Sequence, residues 1–238
     1  MGSRFSWAAA AFGLALVTAL WVFDAGPDQM SCQIGGACEY RIANPVMAFE
    51  MVRSRAQLAD VVSPDPASQP VRDAFDESAR RDFLFMGAYS LFMVAMVWAL
   101  AGRPGWAWML PFCFLGVIAV AADGFENRTL MALTAAPPDP IPAIGRLITL
   151  TWIKWGAIAA FSGLCGVAIA LRRKPIWVRI FALPCLAAPA VTALAYVHPE
   201  PWADLMGNSV VLVWLTLFFY SLIQMWLERR TAGETPPA

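Results

Sequence analysis

The chain has 238 residues, 59% of them hydrophobic and only 14% charged, with a mean hydropathy of +0.58. A soluble domain is roughly 45–50% apolar and about 25% charged, so a single soluble core cannot absorb this much apolar surface, and lipid must solvate much of the chain. The net charge is zero and no basic stripe exists, which excludes nucleic acid as a partner.

The pattern predicts an all-α, polytopic transmembrane bundle of about six spanning helices, since each crossing needs about 20 apolar residues. The first candidate is Phe5–Phe23. Arg4 before an apolar run has the look of a signal peptide, but no small-x-small cleavage site follows, so an uncleaved helix is expected. The next stretch, Asp24–Asp82, is the largest piece outside the membrane. Within it Cys32 and Cys38 enclose Gln-Ile-Gly-Gly-Ala, and in an oxidising compartment a structural disulfide is expected there. A redox pair is the alternative, against which the spacing is not Cys-x-x-Cys.

Asn44-Pro45 reads as a helix start, with Asn as N-cap and Pro in the first helical position. Over 45–62, Glu50, Arg53, Gln57 and Asp60 recur at three- and four-residue spacing opposite Ala48, Val52, Ala56 and Ala59. That predicts one amphipathic helix lying on the membrane surface or capping the bundle. Ser63-Pro64-Asp65-Pro66 breaks it. From Pro70 a new helix carries Arg72/Asp76, Asp76/Arg80 and Glu77/Arg81 four apart, a supportive spacing for opposite charges. It is expected to run without interruption into the second span, Phe83–Ala101. The remaining spans are Trp106–Ala122 (continuing to about Ala135), Leu147–Leu171, Val178–Val197 and Ser209–Leu227. Residues 1–230 then form one membrane domain, with 24–81 as its outer segment and 231–238 as a disordered cytoplasmic tail.

Arg and Lys mark cytoplasmic loops. With the N-terminus inside, the inner segments hold Arg4, Arg103, Arg172, Arg173, Lys174, Arg179, Arg229 and Arg230, while the short outer loops hold only Arg128 and Arg146. A multi-pass protein of a bacterial inner (plasma) membrane is expected, with both termini cytoplasmic.

This topology brings ionisable groups to one depth. A charged residue in a span costs roughly 2.5–3.5 kcal/mol on insertion scales and marks function by default. Asp82 begins the second span, Asp123 lies about 25 Å along the third, and Lys154 about 10 Å into the fourth. Asp123, Glu126 and Asn127 stand at i, i+3 and i+4 on one face. Tyr89 is two turns from Asp82, and Thr151 one turn from Lys154. Asp82, Tyr89, Asp123, Glu126, Asn127 and Lys154 are therefore the candidate ligand- or ion-binding residues of an outer-half polar cup.

The bland readings stand beside this one. Asp82 can sit at the water interface beside Arg80 and Arg81, Asp123–Asn127 can mark an interfacial helix end, and Lys154 can be a structural ion-pair partner of Asp123 or Glu126. Three functions follow. The first is transport-like binding of a small molecule, cation or proton. The second is an intramembrane enzyme acting on a lipid or isoprenoid by carboxylate acid–base chemistry. The third is a non-catalytic subunit or scaffold. No catalytic residue is assigned, and oligomer formation is left open.

The lone histidine, His198, excludes a multi-histidine metal centre and a bis-histidine haem. With no glycine-rich nucleotide loop and no Gly-x-Ser-x-Gly element, no cofactor is expected. Asn127-Arg-Thr matches a glycosylation sequon but falls in expected helix. The partners implied are membrane lipids and a small cation, proton or lipid ligand.

Overall fold

The computed structural model describes residues 2–23, 27–35, 38–101, 110–171 and 176–233. All regular elements among them are helical: α1 (Gly2–Phe23), α2 (Ser31–Gly35), α3 (Pro45–Glu50), α4 (Arg55–Val61), α5 (Gln69–Ala101), α6 (Leu110–Thr134), α7 (Ile141–Leu171), α8 (Ile176–Arg179), α9 (Ala182–Val197) and α10 (Pro199–Gly233). Five stretches are long and apolar enough to cross a membrane: 66–100, 110–134, 141–171, 176–197 and 199–227. The sixth expected span is the 22-residue helix α1, whose described apolar stretch, Trp7–Thr18, is shorter. The expected segments Arg103, Trp106 and Arg172–Lys174 lie outside the described residues, as do 234–238 of the expected tail. Thr231–Gly233 are not tail but the last turn of α10.

The long helices form a closed ring in the order α1, α5, α6, α7, α9, α10, with α10 returning to α1. Side-chain pairs fix neighbours as antiparallel: Asp82 meets Asn127 while Tyr89 meets Asp123, and Trp7 meets Arg229. The start of α1 and the end of α10 therefore share one end of the ring, and the segment 27–68 caps the other. Close approach depends on small residues, as it does where helices associate in lipid. A Cβ on Gly166 of α7 would stand 2.8 Å from Leu186 Cγ on α9. At about 1.5 Å per residue, the 33-residue α5 and 35-residue α10 overrun a hydrocarbon core of about 30 Å, so both project into the cap.

The cap corrects the expectation of one amphipathic helix over 45–62. Asn44 does cap α3 through Met47 N, but that helix ends at Glu50, and a fresh N-cap, Ser54, accepts from Gln57 N and starts α4. Ser54 competes well for the local backbone in an extended conformation. The interruption turns the apolar run Met47–Val52 inward, and Phe49 packs edge-on against Phe75 at 4.8 Å.

The charge pairing of α5 also departs in one place. Arg80–Asp76 and Arg81–Glu77 form at 2.6 and 2.8 Å. Arg72, however, is buried and donates to the carbonyl oxygens of Ser63 and Asp65 and to Gln69 Oε1. It thus satisfies a proline-broken turn that has too few backbone donors of its own. Cys32 and Cys38 are joined, with Cα atoms 5.1 Å apart.

Two apolar cores result. One fills the ring interior with residues such as Met96, Phe161, Cys165 and Leu217. The other joins the cap to the helix ends, through Phe49, Val61, Leu133, Leu147 and Met206. Tyr40 belongs to this second core, where burial, and then Glu200, holds its phenol well above the ordinary pKa. The buried charged residues Glu50, Asp123, Glu126 and Lys154 belong to neither core.

Candidate functional site

Lys154 is the centre of the site. It lies midway along α7 with 5% of its surface exposed. Its Nζ lies 2.8 Å from Glu50 Oε1 and 3.4 Å from Asp123 Oδ1, and it is in direct contact with Glu126 Oε2. An unpaired ammonium at this depth would be very costly, so the three carboxylates account for its burial.

Glu126 is fully buried. Its second oxygen accepts from the Thr151 hydroxyl, which also lies 3.2 Å from the Glu50 carbonyl oxygen. Because Thr151 stands one turn before Lys154, α7 holds Glu126 at both oxygens. Asp123, one turn earlier on α6, accepts from the Tyr89 phenol at 2.8 Å. Asn127 on the same face donates to Asp82 Oδ2 at 2.6 Å. Of the six residues singled out from sequence, Tyr89, Asp123, Glu126 and Lys154 form one bonded set, and Asn127 and Asp82 form a separate pair beside it. Asp82 is only half-buried, but it faces Asn127 rather than its neighbours Arg80 and Arg81, which pair with Asp76 and Glu77.

Glu50 was missed as a site residue. The three- and four-residue spacing placed it on the polar face with Arg53, Gln57 and Asp60. Instead it drops from the end of α3 into the bundle, its Oε2 accepting from Trp155 Nε1 at 2.8 Å while Oε1 meets Lys154. A signal was present: within Pro45–Val52, Glu50 is the only charged or polar residue. A lone acid in an apolar run seeks a buried partner, whereas one in an alternating pattern seeks water. Asp204 was missed as well. It lies on α10 and ties the cap down by accepting from Ala43 N and Asn44 N at 3.0 and 3.1 Å.

A cavity of about 520 Å³ opens onto this cluster, its walls including Glu50, Asp82, Tyr89, Asp123, Lys154 and Asp204. Glu126 and Asn127 do not line it. The cluster therefore has two parts: a closed lock of Glu126, Thr151 and Lys154, and an open wall of Glu50, Asp82 and Asp123. Exposed Ala43, Asn44 and Asn208 form part of the lining, so the space reaches the capped end. A second hollow of about 410 Å³, between α5 and α6, is lined by residues such as Met93, Val97, Phe112 and Val117 and shares no lining residue with the first.

The open wall and the lock together set four carboxylates (Glu50, Asp82, Asp123, Glu126) against one ammonium. Carboxylates thus outnumber the ammonium in this part of the bundle. No family model, curated protein or solved structure matches this chain. What the fold defines is an all-helical bundle with several helices apolar enough to span a membrane, and its function has to be argued from the site alone.

Proposed function

We propose that this protein binds a small cationic ligand in the polar cavity, from the outer side of a bacterial inner membrane, in a transport-like role. The single observation carrying this reading is the cavity of about 520 Å³ walled by Glu50, Asp82, Asp123 and Lys154. Ionisable groups are expensive in a membrane and are retained where they line a pathway or meet a ligand. Here the excess of carboxylates selects for positive charge. A cationic ligand adds positive charge beside these acids, and Lys154 keeps the acids from collapsing together.

The proposed orientation is supported by Arg179, Arg229 and Arg230, which lie toward the end of the ring opposite the cap. It is also supported by the Cys32–Cys38 link in the cap, as an oxidising compartment would give. The scaffold reading keeps a share: Glu126, Thr151 and Lys154 make a closed contact that holds α6 to α7. The lipid-enzyme reading has less support, because the acids and the apolar hollow are separate spaces.

The test is thermal unfolding of the full chain in lipid nanodiscs with added potassium, sodium or methylammonium chloride. A ligand at 100 times its Kd stabilises by about 2.7 kcal/mol. The midpoint should rise with at least one cation, and Asp82→Asn or Asp123→Asn should abolish the rise. No cation-specific rise across the panel overturns the reading.

A further inference from the structure

The cavity is much larger than an inorganic ion needs, and its other wall is aromatic. Phe85 and Tyr89 of α5 and Trp214 of α10 all line it. They pack on one another, with ring centroids 5.7 Å apart for Phe85–Tyr89, 5.5 Å for Phe85–Trp214 and 5.8 Å for the stacked pair Tyr89–Trp214. Trp155 lines the space from α7, its ring 5.2 Å from the Lys154 ammonium.

The centre of the acid cluster is already occupied. Glu50, Asp123 and Glu126 converge on the Lys154 nitrogen, so the position where a metal ion would collect its oxygens holds an ammonium. Accordingly, no group of three or more His, Cys, Asp or Glu among the described residues is placed to hold a metal ion. Glu50 spends both oxygens on Lys154 and Trp155, Asp123 spends one on Tyr89 and turns the other to Lys154, and Asp204 spends both on backbone amides. Asp82 is different: Asn127 takes its Oδ2, and no described residue bonds its Oδ1. The cavity therefore offers one carboxylate oxygen beside a group of three packed aromatic rings.

That combination suits one ligand class. A single negative oxygen matches a single positive charge, and ring faces attract cations that carry little water, most of all substituted ammonium ions. A space of about 520 Å³ falls in the range that encloses small organic molecules, roughly 300–1,000 Å³. An anion would meet the excess of carboxylates, and a neutral lipid would leave Asp82 facing apolar groups. The geometry points to a monovalent organic ammonium ion bearing alkyl or aryl substituents as the ligand, its charge at Asp82 and its apolar part on Phe85, Tyr89 and Trp214. This rests on the cation-binding reading and narrows it.

The experiment is isothermal titration of the full chain in nanodiscs with benzyltrimethylammonium, tetramethylammonium and potassium chlorides. The expected order of affinity is that order, with at least a tenfold gap between the first and the last. Trp214→Leu and Phe85→Leu keep most of the apolar volume. Each should weaken benzyltrimethylammonium at least tenfold while moving potassium less than twofold. Asp82→Asn should weaken all three, and circular dichroism reports whether each variant folds. Should Trp214→Leu fail to fold, Phe85→Leu carries the same comparison. Potassium binding as tightly as the organic ions, or aromatic variants without selective effect, overturns the ammonium assignment and leaves the broader cation site standing. No binding of any of the three overturns the ammonium assignment, and the broader cation reading falls with it when the unfolding midpoint also fails to rise with sodium or methylammonium.

Discussion

Helices α5 and α6 build two hollows of similar size and opposite character. On one side they give Asp82, Tyr89 and Asp123 to the cavity of about 520 Å³; on the other they give Met93, Val97, Phe112 and Val117 to the hollow of about 410 Å³. Tyr89 and Ser90 are neighbours in sequence and belong to different walls. Volume therefore does not mark the site. In lipid an apolar hollow costs little, because acyl chains fill it as well as side chains would. A polar hollow costs more, because each of its charged groups needs a partner or open space, and Glu50, Asp82, Asp123 and Lys154 in the first cavity each have a named partner.

That contrast can be broken by experiment. The largest effect is expected from Lys154→Met, which leaves Glu126 buried without its counter-charge; removing one partner of a buried pair costs about 3–5 kcal/mol. The loss should appear as a lowered unfolding midpoint, and adding Glu126→Gln should recover part of it. If the double variant is no better than the single one, Lys154 does not act through charge compensation.

A smaller loss should follow Arg72→Met, which strips donors from the Ser63 and Asp65 carbonyl oxygens and from Gln69. Asp65 and Gln69 are exposed and Ser63 half-buried, so water replaces part of what is lost and the cost should be about 1–2 kcal/mol in all. Faster hydrogen exchange in 63–69, with the spans unchanged, is the expected signature. Glu50→Gln sharpens the comparison further. It keeps the shape but weakens the bond to Lys154, so the cap should loosen by about 1–2 kcal/mol, a charge-assisted bond giving way to a neutral one. Hydrogen exchange over Pro45–Val52 and a shift in Trp155 fluorescence would register it; unchanged exchange there would show that Glu50 does not anchor the cap. The smallest effect belongs to the apolar hollow. A Cβ on Gly116 would meet only Met93 Cε, at 3.8 Å. Gly116→Ala should therefore change stability by no more than about 1 kcal/mol, with helix propensity favouring Ala, and leave cation binding in the other cavity untouched.

The sequence was most legible where one rule governs. Lipid solvation demands long apolar helices, so the spans and their alternation can be read from hydropathy. The i, i+3, i+4 spacing alone places Asp123, Glu126 and Asn127 on one face. Asp82 and Lys154 could be matched to their depth by counting residues from the ends of the spans. The cap was read less well. Its helices are short, and there a periodic pattern of few turns carries little information. The spacing with Arg53 and Gln57 puts Glu50 on a water-facing side, yet that helix ends at Glu50 itself and Ser54 begins another. The Asp204 anchor lies some 160 positions from the amides it holds, and no local pattern announces it.

By itself, then, the sequence determined the solvent of this protein, its long apolar helices and the shared level of Asp123 and Lys154 along neighbouring helices, because those follow from composition and from a fixed rise per residue. Only the tertiary structure decided which charges meet. Glu50, Asp123 and Glu126 converge on Lys154 because the cap folds down onto a ring that closes α10 against α1, and ring closure is a property of packing among distant segments. The same holds for the cavity: it exists because Phe85, Tyr89 and Trp214 pack on one another while the acids are held by Lys154 and Asn127, leaving between them a space that no stretch of sequence contains.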